Sequence, residues 1–160
     1  MIVTVLNFLT EQEVESIQNF LNKSFSGKKG VDRTIQRFGE LKSYGSNKIS
    51  DEIPEPLRYL IYKLEDGGWV QDIKHVTVNR YDAGQSIPFH IDNHEAGDTI
   101  TIISLLSDAT MLFKNDKGRV TSTPVPANSL FQFSGEHRTK MKHSIEPVES
   151  TRYSIVFRKH

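Results

Sequence analysis

Two residues near the middle of the chain, His90 and Asp92, have the types and the spacing to hold a metal. They close the stretch Asn79 to Asp92, Asn-Arg-Tyr-Asp-Ala-Gly-Gln-Ser-Ile-Pro-Phe-His-Ile-Asp. On an extended chain residues two apart leave the same face, so an imidazole and a carboxylate would stand side by side. A distant second histidine completes the two-histidine, one-carboxylate set that leaves coordination positions open on ferrous iron, and His143 is the leading candidate. The pattern points to an iron-dependent oxygenase. His-x-Asp by itself is more often a hydrogen-bonded surface pair, so the weight falls on its setting. Pro88 and Phe89 lead into it on an extended run, and Gly84 permits a close turn before it. His143 lies in the later strand-like run Lys142-His-Ser-Ile.

A second set closes the chain. In Arg152-Tyr-Ser-Ile-Val-Phe-Arg158 the two arginines are an even number of residues apart, on one face of a strand with Ser154 and Val156. Two inward guanidiniums require anions. A dicarboxylate such as 2-oxoglutarate would meet that need, chelating iron at its keto acid end and offering its far carboxylate to an arginine. Each such charge-assisted bond is worth about 1.5 to 3 kcal/mol. Alone, the pair would read as exposed arginines near the end of the chain.

The elements that must position these residues follow from periodicity. Ile2 to Leu6 reads as a strand. Thr10 and Glu13 form a capping box at the start of a helix with Val14, Ile17 and Leu21 on one face, and Leu9 and Val14 can staple it. Pro54 and Pro56 open a second helix lined by Leu57, Leu60, Ile61 and Leu64 and stopped at Gly67-Gly68. Short β-prone runs follow at Val76 to Tyr81, Thr99 to Leu106, Thr110 to Lys114, Ser129 to Phe133, His143 to Glu146 and Tyr153 to Arg158, separated by turn residues. Two helices and then at least six strands imply an α+β fold: a jelly roll, or double-stranded β-helix, with N-terminal helices packed on one sheet.

Composition narrows the chemistry. At 160 residues the length fits one domain, 1–160, with residues 76–158 as the jelly-roll core. There are no cysteines, which excludes disulfides, thiolate metal sites and cysteine nucleophiles. Twenty basic residues balance 20 acidic ones, so the net field favours no polyanion. The opening segment has no basic flank and runs into Glu11, Glu13 and Glu15, against a signal peptide or membrane span, and a cytoplasmic location is expected. Basic residues nonetheless cluster from Lys23 to Lys48 and again at Arg138, Lys140 and Lys142.

Taken together, Asn79-x-Tyr81-x-x-Gly84, Ile87, His90-x-Asp92, His143 and the Arg152 to Arg158 heptad resemble the AlkB family of iron(II)- and 2-oxoglutarate-dependent dioxygenases, over roughly Val76 to Arg158. The resemblance implies that His90, Asp92 and His143 bind Fe(II), with dioxygen as co-substrate. It also implies that Asn79, Tyr81, Arg152, Ser154 and Arg158 contact 2-oxoglutarate, Ser154 standing where many members have asparagine. The stretches Gly84-Gln-x-Ile-Pro-x-His90-Ile-Asp92-x-His94, Ser104-Leu105, Phe113-Lys114, Gly135-Glu136-x-Arg138 and His143-x-Ile145-x-Pro147 look most like the branch that hydroxylates modified wobble uridine in transfer RNA. Members of that branch also carry an RNA-recognition domain and a methyltransferase. Neither lies within these residues, which points to a separate RNA-delivering or methyltransferase partner.

Residues 23–50 lack a clear apolar period and are expected to form a substrate lid. Arg33, Arg37, Phe38 and Tyr44 there would offer cations to phosphates and flat faces to a base. His94, Glu136 and Arg138 are further candidates for substrate contact, although His94 also reads as a solvent-facing histidine and Glu136 with Arg138 as a rim pair. The expected substrate is a nucleic acid, RNA before DNA, with no membrane partner. DNA-repair members carry an acidic residue at the position of His94, so alkylated adenine or cytosine is disfavoured. The alternatives are oxidative demethylation of N-alkylated bases, hydroxylation of a protein or small molecule, and a jelly-roll binding module without turnover.

Overall fold

In a computed structural model the described residues are 1–26, 30–40 and 47–159. They run β1 (Ile2–Leu6), α1 (Glu11–Ser24), β2 (Thr34–Gly39), β3 (Lys48–Ser50), α2 (Glu55–Asp66), β4 (His75–Tyr81), β5 (Ile87–His90), a 3-10 turn (His94–Ala96), β6 (Thr99–Leu105), β7 (Ala109–Lys114), β8 (Val120–Val125), β9 (Ser129–Ser134), α3 (Glu136–Thr139), β10 (Lys142–Ile145) and β11 (Arg152–Arg158). The strands form two sheets. The larger has the order β1-β9-β6-β11-β4-β2-β3 and the smaller β5-β10-β7-β8. This is the double-stranded β-helix expected from the order of elements.

The larger sheet is apolar on both faces, and each face builds a core. Val76, Val78, Ile103, Leu105, Ile155 and Phe157 pack under α1 and α2 through Ile17, Leu21, Leu57, Leu60 and Leu64. The alternate residues Ile100, Ile102, Phe131, Phe133 and Val156 face the smaller sheet, meeting Met111, Phe113 and Ile145. The two-residue period of a strand divides the residues this way. α1 starts at the predicted capping box: the Glu13 amide donates to Thr10 Oγ1 (3.2 Å) and the Thr10 amide to Glu13 Oε1 (2.9 Å).

The expected lid does not hold across residues 23–50. Thr34 to Gly39 pair antiparallel with β4 and β3 pairs parallel with β2, so the middle of the segment is sheet. Phe38 is buried in the core beneath the helices, away from any substrate. The hydropathy pattern conceals this strand because its polar residues are satisfied inside: Gln36 donates to the Ser24 carbonyl (2.7 Å) and Arg37 to Thr77 Oγ1 (3.0 Å). Tyr44 lies outside the described residues. The sequence also yields no expectation of β8, an edge strand of largely exposed Val, Thr and Ser that contains Pro124; proline is tolerated at an edge because one side needs no ladder donor.

Candidate active site

Between the sheets lies a cavity of about 390 Å³, lined on one side by β4 and β11 and on the other by β5 and β10. The pairing of strands brings its chemistry together. β5 and β10 are antiparallel neighbours in which His90 and His143 are directly opposed, with ring centroids 4.2 Å apart. Asp92 lies two residues beyond the end of β5, not on the strand itself as expected, and its Oδ1 is 3.2 Å from His90 Nε2 and 3.9 Å from His143 Nε2. The ligating atoms of the three residues all fall within 4.8 Å of one another, and among the described residues this is the one such group of three.

Each member is prepared for a cation. His90 Nδ1 lies 2.9 Å from the Pro88 carbonyl, which orients the ring with Nε2 toward Asp92 and the cavity. Burial pushes the His143 imidazole down to about 4, with Asp92 pulling the other way, so the ring is neutral near pH 7. Burial alone would raise the Asp92 carboxyl, but the His90 hydrogen bond and the charge of Arg158 overcome it and hold the group far below the usual carboxylate range. Arg158 Nη2 sits 3.2 Å from Asp92 Oδ2. Two imidazoles and one carboxylate, with one guanidinium balancing the anion, suit a divalent ion with open positions.

Arg152 occupies the other end of β11's inner face. It is 1 % exposed, its Nε donates to Ser104 Oγ (2.9 Å), and its guanidinium carbon lies 5.2 Å from the centroid of the Tyr81 ring. Nη1 and Nη2 are buried without a hydrogen-bond partner. Buried polar groups are nearly always paired, so two converging donors in a cavity fit the carboxylate of 2-oxoglutarate. Asn79 and Ser154 are directly opposed in the β4–β11 register and line the same cavity. Arg33 Nε donates to Asn79 Oδ1 (3.1 Å), which turns the Asn79 amide nitrogen away as a remaining donor.

The substrate candidates divide. Arg33 and Arg37 line the cavity, Arg37 within it and buried. Glu136 is exposed and pairs with Lys140 at 3.1 Å, not with Arg138. His94 is exposed on the 3-10 turn and takes no part in the cavity wall. Arg138 has a different use from the one expected. It is 4 % exposed, and Nε, Nη1 and Nη2 donate to the carbonyls of Gly97 (2.8 Å), Asp92 (3.1 Å) and Asn93 (2.7 Å). It therefore fastens the loop that carries Asp92. The sequence assigned no role to Ser104 or Thr77, whose hydroxyls accept from Arg152 and Arg37; Ser104 stands directly opposite Ser154, and the resemblance at Ser104-Leu105 was the available signal.

Jelly-roll oxygenases that use Fe(II) and 2-oxoglutarate are the class this fold and cavity define. The chain matches the 2OG-Fe(II) oxygenase superfamily over residues 7–158; it belongs to that superfamily and, within it, to the AlkB family, near the ALKBH8 catalytic domain. It is an Fe(II)/2-oxoglutarate-dependent dioxygenase. A Mus musculus protein, tRNA (carboxymethyluridine(34)-5-O)-methyltransferase ALKBH8, is 34% identical over 126 residues, which is 72% of this chain and 18% of that protein. The Xenopus tropicalis protein of the same name is 31% identical over 158 residues, 91% of this chain and 25% of that one. An RNA demethylase of Arabidopsis thaliana, ALKBH9B, is 37% identical over 90 residues, 51% of this chain and 18% of that protein. The chain thus spans a quarter or less of the length of these curated relatives. Among solved structures, that of OsALKBH1 superposes with a TM-score of 0.73 at 14% identity, covering 98% of this chain and 97% of the other. A Trichoplax adhaerens prolyl hydroxylase in complex with a peptide fragment of hypoxia inducible factor gives 0.68 at 17%, covering 99% and 83%. These two likenesses establish the fold.

Proposed function

We propose that this dioxygenase hydroxylates a modified base in RNA, with His90, Asp92 and His143 holding iron and with Asn79, Tyr81, Arg152, Ser154 and Arg158 seating 2-oxoglutarate. The observation that carries the site assignment is the pairing, in one cavity, of the His-Asp-His group with the two unpartnered Nη groups of Arg152. When bound, iron and 2-oxoglutarate supply with dioxygen the oxidation of a substrate C–H bond, coupled to decarboxylation of the keto acid to succinate.

The protein's own part is orientation and exclusion of water. Arg152, held by Ser104 and beside Tyr81, would bind the far carboxylate of the keto acid. Arg158 neutralises the Asp92 oxygen not facing His90, and Arg138 keeps the Asp92 loop in place. Ile100, Ile102, Met111 and Val156 line the cavity with apolar surface, which keeps the reacting centre dry. The RNA assignment is supported by the functions in the relatives' names, a tRNA methyltransferase and an RNA demethylase. Wobble uridine is the preferred target because the more extensive matches are to the former. Demethylation is the second reading, favoured by the Arabidopsis relative. The separate RNA-delivering or methyltransferase partner expected from the resemblance has no support among these findings and forms no part of the proposal. Among the described residues no helix is long and apolar enough to cross a membrane.

The test is release of labelled succinate from 2-oxoglutarate by the iron-loaded protein with ascorbate, with and without transfer RNA. Mass spectrometry of the RNA digest then separates a gained oxygen from a lost methyl. RNA-independent turnover with no change in any nucleoside would overturn the proposal.

A further inference from the structure

The smaller sheet turns His90 and His143 inward and leaves an outer face that the reaction does not use. On that face Lys142 of β10 and Lys114 of β7 are directly opposed in register. Like charges in that arrangement repel, and surfaces ordinarily interleave signs to avoid it. Among the described residues no carboxylate forms an ion pair with either lysine, whereas the neighbouring Lys140 is taken by Glu136 at 3.1 Å. Lys114 Nζ instead rests 4.4 Å from the centroid of the Phe89 ring. Phe89 belongs to β5, directly before His90, and among the described residues β5 is the edge of its sheet, paired with β10. Pro88, His90 and Ile91 of the same edge line the cavity. The cation pair therefore lies on the outer face of β10, which carries His143, and of its neighbour β7, with Phe89 linking it to the β5 edge whose residues also line the cavity.

We propose that Lys114 and Lys142 form a phosphate-binding surface for the RNA backbone beside the reacting nucleotide, with Phe89 holding the Lys114 ammonium across the sheet. An anion between the two lysines relieves the repulsion that the register builds in. The contact is with phosphate, so it supplies affinity and alignment without reading sequence. This inference rests on the RNA reading given above.

Manganese-loaded protein with 2-oxoglutarate, titrated onto a fluorescently labelled single-stranded RNA at several salt concentrations, tests it by anisotropy. Each phosphate contact on a single strand contributes about 0.7 to the slope of log K against log salt. With one phosphate between the two lysines, the K114Q/K142Q variant should show a slope flatter by about 0.7, and K114R/K142R, which keeps both charges, should restore it. Thermal melting of K114Q/K142Q, with Lys142 exposed and Lys114 half-buried at the surface, should match the unaltered protein. Equal slopes for the unaltered protein and K114Q/K142Q, while RNA still stimulates succinate release, would overturn the surface and leave the RNA reading standing. Absence of both RNA binding and RNA-stimulated turnover in the unaltered protein would overturn the two together.

Discussion

Replacing Arg152 with methionine should move stability and cofactor affinity in opposite directions. In the protein without ligand, Arg152 keeps a buried guanidinium whose Nη1 and Nη2 have no hydrogen-bond partner, and burial lowers its pKa, the sign of a charge that has lost its water. Leaving buried polar groups unsatisfied costs about 1 to 3 kcal/mol each. Methionine fills similar space without that cost, although the Ser104 hydroxyl loses its donor, so a net gain of roughly 1 to 3 kcal/mol is expected. For a chain of this size that is a rise of about 2 to 4 °C per kcal/mol in Tm. Binding of 2-oxoglutarate should fall. Two charge-assisted hydrogen bonds at about 1.5 kcal/mol or more each amount to at least about 3 kcal/mol, or roughly a hundredfold in Kd. Thermal melting of the metal-free protein and calorimetric titration of 2-oxoglutarate into the manganese-loaded protein measure the two effects separately. A variant that melts below the unaltered protein and binds 2-oxoglutarate within a few fold of it would refute the assignment, marking Arg152 as structural.

Further outcomes follow from the same geometry. R138M should weaken iron or manganese affinity by about ten- to a hundredfold, because groups that fasten a ligating residue typically matter to that extent; equilibrium dialysis checks this, and R138K should rescue little since one ammonium cannot reach three carbonyls. G39A should destabilise the fold by about 1 to 3 kcal/mol in urea melts, because Gly39 has φ +100° and an added Cβ would lie 2.3 Å from the Lys74 carbonyl oxygen. Glu13 supplies a pH dependence. Burial alone would raise its pKa, but hydrogen bonds from Lys63, the Thr10 amide and Tyr59 lower it to about 2. A carboxyl with a depressed folded pKa stabilises above its unfolded value, so this contribution should be complete above about pH 4.5 and fade as the pH falls toward about 2. E13Q should flatten that part of the stability profile measured by chemical denaturation.

Parity made much of the site legible. Even spacing predicted that Arg152, Ser154 and Arg158 share a face, and the register places Ser154 against Asn79 and Arg152 against Tyr81. The two histidines were legible as a pair because antiparallel strands oppose residues far apart in the chain. What escaped was whatever depends on polar groups satisfied inside. β2 hides its strand period because Thr34, Gln36 and Arg37 are buried, and residue type alone suggests a lid. Arg138 reads as a surface cation until its three carbonyl partners are seen. Backbone acceptors leave no trace in side-chain patterns, so a residue that builds a loop and a residue that meets a substrate look alike in sequence.

The placement of His90 on β5 also bears on how the enzyme would gain and lose its metal. β5 has four residues and, among the described residues, one neighbouring strand, and short edge elements open at far lower free energy than central ones. His143, on the inner strand β10, and Asp92, pinned by Arg138, belong to better-anchored parts of the molecule. Opening of β5 alone would therefore withdraw one imidazole while two ligands stay in place, giving iron a route of exchange that leaves both cores folded. Metal should in turn slow amide hydrogen exchange along Ile87–His90 more than along β10, making the ion a clasp on the weakest edge of the sheet.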